Sequence, residues 1–252
     1  MQTDILLFLA GLFVGTMNAV AGGGMLLGFP VLLLSGLTAL AANATGNIVV
    51  LPGQLASAYG YRKYLRTVPK QYLILLVPCV IGAVLGALLL RRTPGSNFEM
   101  YVPWLLLVAV GLFAFQPFLH NHLHHHLKSK YKPIKPLLLI ALALFPLSIY
   151  GGYFGAGFGF VVLAFLGFTS LTDIHQMNAM KNIAAASISL MSIIVLANGS
   201  FINWHAGLVM AAGSTIGGYS GSRLAQRIPN HAIRVIVIVI GLITAVYIGL
   251  HH

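Results

Sequence analysis

Apolar residues run in long blocks from one end of this chain to the other, interrupted by short polar turns. Ten blocks stand out, five in each half: 4–21, 25–37, 42–60, 70–91 and 101–119, then 136–155, 158–171, 175–197, 203–225 and 231–250. A helix needs about 20 apolar residues to cross the hydrocarbon of a bilayer, so blocks of this length predict membrane-spanning helices. The second block of each half falls short of a comfortable span. Each is preceded by glycines: Gly22, Gly23 and Gly24 in the first half, and Gly155, Gly157 and Gly159 in the second. Glycine frees the backbone from helical geometry and lets other groups approach closely. Irregular backbone at membrane depth survives only where protein or a watery cavity satisfies it. The pattern predicts an all-α integral membrane protein with about ten hydrophobic segments and a short broken or half-spanning segment in each half. Tight helix packing through small residues is the alternative account of the glycines.

The two sets of five are one sequence written twice. Shifted by 135 positions without a gap, Gly22 falls on Gly157, Gly24 on Gly159, Asn43 on Asn178 and Asn47 on Asn182. Ser57 falls on Ser192, Gly82 on Gly217 and Gly86 on Gly221. Residues 1–252 therefore read as one membrane domain, with repeat 1 over 1–119, a basic His-rich linker over 120–135 and repeat 2 over 136–252. Duplicated membrane halves with interrupted helices are a recurrent transporter architecture, with the site at the repeat interface. The opening Met1-Gln2-Thr3-Asp4 lacks the basic stretch of a secretory signal and belongs to the repeated unit, so it reads as mature structure.

Loop charges orient the halves. Arg62, Lys63, Arg66 and Lys70 follow the third segment, whereas the matching loop, 198–205, holds no Lys or Arg. The next loop reverses the bias: Arg91 and Arg92 with Glu99 in the first half, Arg223, Arg227 and Arg234 in the second. Lys128, Lys130, Lys132 and Lys135 crowd the linker. Cytoplasmic loops collect Lys and Arg. Residues 61–70, 120–135 and 223–234 then lie inside, and 91–100 and 198–205 outside, with Arg91 and Arg92 running against the trend. Each half crosses an odd number of times, so the repeat is inverted and both termini are outside. Composition agrees with the membrane reading: 58% of residues are hydrophobic and 7% charged, against about a quarter charged in a soluble domain. The net charge of +11 suits loops facing anionic headgroups. No base-reading module accompanies it, so nucleic acid is not an expected partner. The single Cys79 allows no intrachain disulfide and no metal pair, and reads as a packing residue.

Polar residues inside a membrane are costly and face a bundle interior or cavity. Here they cluster just after each short segment: Asn43, Thr45, Asn47, Gln54 and Ser57 in one half, Asn178, Lys181, Asn182, Ser187, Ser189 and Ser192 in the other. Asn43 and Asn47, like Asn178 and Asn182, are four apart and share a helix face. They fall in the first turns of the third segment, and a helix N-terminus is a ready anion site. Two such ends meeting across an inverted repeat would form a pocket for a small oxyanion; capping and interhelical hydrogen bonding are the structural alternative. Lys181 replaces Gly46 of the first half and either neutralises a substrate anion or snorkels to headgroups. Asp173 and His175 precede that helix, as a proton-coupling pair or as a cap and a loop residue. The histidines at 120–126 invite a metal reading, but they lie in the linker, have no counterpart in the repeat and lack Cys or carboxylate partners. No metal site, cofactor or enzyme motif is expected: G-x-S-x-G, H-E-x-x-H and the P-loop are missing.

Ala21-Gly22-Gly23-Gly24, Phe29-Pro30, Ala42-Asn43-Ala44-Thr45, Leu51-Pro52-Gly53 and Gly60-Tyr61-Arg62 resemble the sulfite exporter TauE/SafE family. Asn178-Ala179-Met180-Lys181-Asn182, Asn203-Trp204 and the stretch from Gly217 to Ala225 extend the resemblance over essentially the whole chain. Asn47 and Leu51 depart from it, standing where relatives often carry a hydroxyl residue and Trp, respectively. The resemblance implies a multi-pass permease of the bacterial cytoplasmic (inner) membrane, exporting sulfite, a sulfonate or a related small anion on an ion gradient. The expected site gathers Gly22, Gly23, Gly24, Asn43, Asn47, Gln54, Gly157, Gly159, Asn178, Lys181 and Asn182. The expected partners are the anion, membrane lipids and a coupling ion, H+ or Na+, with homo-oligomerisation open. Transport would proceed by rocking one half against the other. An anion channel, and a non-transporting membrane assembly or metal-handling protein using the His-rich linker, remain as alternatives.

Overall fold

The computed structural model describes residues 2–20, 22–126, 134–167, 169, 171 and 173–226. The segment expected at 231–250, Arg227 and Arg234, linker residues 127–133 and the terminal histidines lie outside them. Among the described residues all regular structure is helical: α1 (Gln2–Val20), α2 (Met25–Leu34), α3 (Ala39–Gly60), the single turn α4 (Arg62–Leu65), a 3-10 stretch (Lys70–Leu75) leading into α5 (Leu76–Arg92), α6 (Gly95–His126), α7 (Ile134–Tyr153), α8 (Phe158–Leu166), α9 (Ile174–Leu196) and α10 (Trp204–Leu224). By length and composition, Gln2–Val20, Lys70–Arg92 and Ile174–Leu196 are long and apolar enough to cross a membrane. The stretch 120–126, expected as linker, instead continues α6, since it contains no Gly or Pro to stop a helix.

Side-chain caps set the helix starts. Thr38 accepts from the Ala41 amide, so α3 begins earlier than the hydropathy pattern suggests. Asp173 caps α9, and Asn203 caps α10 by accepting from Ala206. α2 and α8 are the short helices, of 10 and 9 residues. At 1.5 Å per residue they extend about 15 Å, half of a roughly 30 Å hydrocarbon core. The breaks before them hold Gly22 (φ 102°) and, at the matching position of the second repeat, Gly157 (φ 79°), with Gly155 (φ 76°) just before it. An L side chain is strained in that backbone conformation, so the repeated glycine is a geometric requirement.

Contacts between named pairs give the helix directions. Ser57 meets Asn182 and Gln54 meets Ser189, so α3 and its repeat counterpart α9 run antiparallel. The repeat is therefore inverted. Gln54 and Ser189 are 135 positions apart; each is the other's image, and their hydrogen bond marks the pseudo-two-fold axis.

The helix of the fourth apolar segment of each half, α5 and α10, is exchanged. Gly11 of α1 abuts Met210 of α10, and Gly15 abuts Ser214, so these helices run parallel in close backbone contact. α10 also lies against α3, Gly53 on Ser214 and Gly60 on Ser222. The mirror arrangement puts α5 on α7, with Gly82 against Ser148 and Gly86 against Ile149. Thus α10, from repeat 2, packs with α1 and α3, against which α2 also lies, while α5, from repeat 1, packs with α7 and α9, against which α8 also lies. The packing units are not the sequence halves, and rocking one sequence half against the other would tear these contacts.

The loops sort to two ends as their charges require. Tyr61 and Tyr64 stack against His175, Gln176 donates to Thr67, and Tyr59 pairs with Tyr219 beside Arg62 and Arg223. At the opposite end Thr45 accepts from the Asn203 amide and His205 meets Asp4. Thr93 joins that end through the Tyr153 hydroxyl, whose own backbone carbonyl accepts from Asn43.

Candidate functional site

A cavity of about 40 Å³, measured at the centres of a water-sized sphere, lies where the two units meet. At about 10–15 Å³ per water by that measure, it holds on the order of three waters. α3 contributes Asn43, Gly46, Asn47, Val50 and Gln54, and α9 contributes Lys181, Asn182, Ala185, Ile188 and Ser189. The two breaks add Asn18, Gly22 and Met25 on one side and Gly151, Phe154, Gly155, Phe158 and Gly159 on the other.

The wall follows the repeat symmetry closely. Asn43 Nδ2 donates to the carbonyl of Tyr153 at 2.8 Å. In the other half Lys181 Nζ donates to the carbonyl of Asn18, the counterpart of Tyr153, at 2.9 Å, and to Asn178 Oδ1 at 2.8 Å. An ammonium has three N–H donors, so two of the three are held by protein oxygens. Lys181 is 1% exposed; it does not snorkel. Asn182 Nδ2 donates to Ser57 Oγ at 2.8 Å. The image of that bond, Asn47 to Ser192, is not made: Asn47 reaches the Asn43 carbonyl at 3.4 Å, and the buried Ser192 Oγ has no partner among the described residues.

The helix ends at the cavity are not those the sequence suggests. The N-termini of α3 and α9 are capped by Thr38 and Asp173, and the cavity lies against turns further along both helices. The short helices α2 and α8 present their N-termini instead, through Met25 and Phe158. Their positive dipole ends meet there. The breaks touch: a Cβ added to Gly22 would sit 2.9 Å from the Gly159 carbonyl carbon. Only glycine allows this approach.

Of the expected site residues, Gly22, Asn43, Asn47, Gln54, Gly159, Lys181 and Asn182 line the cavity. Asn178 stands behind Lys181 as its acceptor. Gly23, Gly24 and Gly157 shape the breaks without lining the cavity. Asp173 and His175 lie away from it: Asp173 accepts from the His175 amide, and the His175 ring packs on Tyr61 and Tyr64. Sequence reasoning missed Asn18, which lies in the last turn of α1. It also assigned Ser189 no role, although its hydrogen bond to Gln54 sits on the symmetry axis. The available signal for Asn18 was its mismatch with the repeat, which has Tyr153 at the same place.

The chain has three acidic residues, Asp4, Glu99 and Asp173, and none of them lines the cavity. With Lys181 charged, its ammonium is therefore held by neutral oxygens alone within the cavity wall. Leaving a buried charge without a counter-charge costs several kcal/mol, and an anion in the cavity would remove that penalty.

The sulfite exporter TauE/SafE family profile matches residues 7–248. A probable membrane transporter protein of Haemophilus influenzae is 30% identical over 93% of this chain and 89% of its own length. Another, from Sinorhizobium, is 28% identical over 95% and 90%, and a third, from Escherichia coli K12, is 26% identical over 93% and 85%. No solved structure matches the chain. With a match that leaves out only the two ends, this chain belongs to the sulfite exporter TauE/SafE family and is a multi-pass membrane transporter rather than an enzyme.

Proposed function

We propose that this protein is a secondary transporter of the bacterial cytoplasmic membrane that exports a small sulfur-containing anion, sulfite or an organosulfonate, by alternating access. The observation that carries the reading is Lys181, buried in the cavity wall at the centre of an inverted repeat with no carboxylate beside it. Amide groups of Asn43, Asn47, Gln54 and Asn182 line the same cavity, and their N–H groups can donate to an oxyanion. The Lys and Arg at the end holding residues 61–70 support the reading that this end faces the cytoplasm. The coupling ion is H+ or Na+.

The moving parts in this reading are the packing units, α1–α3 with α10 against α5 with α7–α9, and the seam between them is α3 on α9. Inverted repeats exchange conformations between their halves. The Asn182–Ser57 bond closes the seam toward the cytoplasmic end, and the unmade Asn47–Ser192 pair is its image toward the other. Transport would make one pair as it breaks the other.

Purified protein in vesicles with an imposed H+ or Na+ gradient is expected to concentrate sulfite, sulfoacetate or a related sulfonate against its own gradient. Flux that only equilibrates would mean a channel. Lys181→Met, which keeps the volume and removes the charge, is expected to weaken anion affinity by about 2–5 kcal/mol, roughly 30- to several-thousand-fold. Unchanged affinity in folded K181M would remove Lys181 from the site and with it this reading.

A further inference from the structure

The cavity is symmetric in outline but not in chemistry, and two of its departures touch. Lys181 stands opposite Gly46 in the repeat, and Asn18 stands opposite Tyr153. Lys181 Nζ lies 2.9 Å from the Asn18 carbonyl, so these two residues fall on one side of the cavity, where the end of α1 meets α9. On the opposite side the corresponding space is filled. A Cβ on Gly46 would collide with the Met25 thioether, and the Tyr153 side chain leaves the cavity to bond Thr93 Oγ1.

Asn18 is 5% exposed and lines the cavity. Its amide orientation is fixed, because the Gly24 N–H donates to it at 2.9 Å and only Oδ1 can accept. Nδ2 is therefore the other atom, and it is buried without a hydrogen-bond partner among the described residues. Buried side-chain donors are nearly always satisfied. The Gly24 contact further ties this amide to the N-terminus of α2, whose dipole favours negative charge at the same place.

We infer that Asn18 is a second anion-contacting residue: Nδ2 donates to an oxygen of the sulfite, sulfonate or carboxylate group whose charge Lys181 balances. The charged head of the substrate then lies at the α1–α9 side, and any organic remainder points toward Met25, Phe154 and Phe158. This rests on the transporter reading above. It adds a fixed polarity for the bound anion and a residue that selects for an acceptor oxygen.

Asn18→Asp separates a contact with substrate from a structural role. Aspartate keeps the acceptor for the Gly24 amide but replaces the free donor with an oxygen and gives Lys181 an internal counter-ion. Binding of sulfite and of sulfoacetate would be read by ligand-induced thermal shift and by transport KM in vesicles, for wild type, N18D, N18A and K181M. The inference expects N18D to fold and to lose at least tenfold in affinity for both anions, with N18A losing several-fold. A cap-only role predicts N18D close to wild type with N18A impaired, and that result overturns the inference. Should N18D not fold, N18A within twofold of wild type overturns it equally. K181M impaired beside an intact N18D leaves the anion site standing without Asn18, whereas wild-type binding in both removes the site itself.

Discussion

Replacing Gly15 or Gly217 with alanine tests whether α1 and α10 form one rigid unit. At Gly15 a new Cβ would run into the Ser214 carbonyl oxygen and sit 2.7 Å from the Gly218 amide nitrogen; at Gly217 it would meet the Leu12 carbonyl, 2.8 Å from its carbon. Ordinary contact begins at 3.4 Å, and the carbonyl oxygens lie closer still than these atoms, so relief requires a shift of more than 0.7 Å. The obstacles are backbone on both helices, so no side-chain rotation can relieve them. Overpacking of this kind costs about 1–3 kcal/mol, while alanine returns up to about 1 kcal/mol of helix propensity. The net effect is about 1–2 kcal/mol of destabilisation. At about 2–4 °C per kcal/mol for a chain of this size, Tm in detergent should fall by about 2–8 °C. Gly111 in α6 supplies the control, since a Cβ there would meet nothing within 4 Å among the described residues; Gly111→Ala should leave Tm unchanged or raise it by a few degrees. If Gly15→Ala and Gly217→Ala raise Tm as Gly111→Ala does, the helices are not in backbone contact and the exchanged packing of α10 is wrong.

Two further outcomes bear on mechanism. In a Cys79→Ser background, paired cysteines at Ser57 and Asn182 should cross-link readily, because the native side chains are already bonded at 2.8 Å, and the cross-link should stop transport. Cysteines at Asn47 and Ser192 should cross-link only as substrate turns over; a rate independent of substrate would contradict exchange between image states. Deleting residues 120–126 should leave anion transport within about twofold of wild type in the vesicle assay, since this tract has no counterpart in the second repeat, whereas a metal-handling role would lose its function.

Much of this architecture is written locally. The apolar blocks carry their own spans, because hydrophobic length is a property of consecutive residues. The repeat marks its centre through shared glycines, and Gly22 and Gly157 adopt the positive φ that glycine serves. The i, i+4 asparagines and Lys181 announce a polar face in an apolar helix. Asn18 was harder to see. It is a single amide near a helix end, and its significance is a missing partner, which exists only once the neighbours are in place.

What the chain alone determines, then, is a membrane protein of two inverted repeats with short helices and an asymmetric polar cluster, for all of these follow from composition, spacing and loop charge. The tertiary structure decided which helices travel together and which helix ends reach the cavity. Gly82, Gly86, Gly217 and Gly221 advertise close packing but not the partner, because a small residue fits any backbone that approaches it. Pairing α10 with α1 joins residues some 200 positions apart, as the Thr16–Gly217 hydrogen bond does. The same exchange sets α3 on α9, with Gln54 and Ser189 on the axis. The charge of Lys181 thereby comes to rest beside an amide from the other repeat.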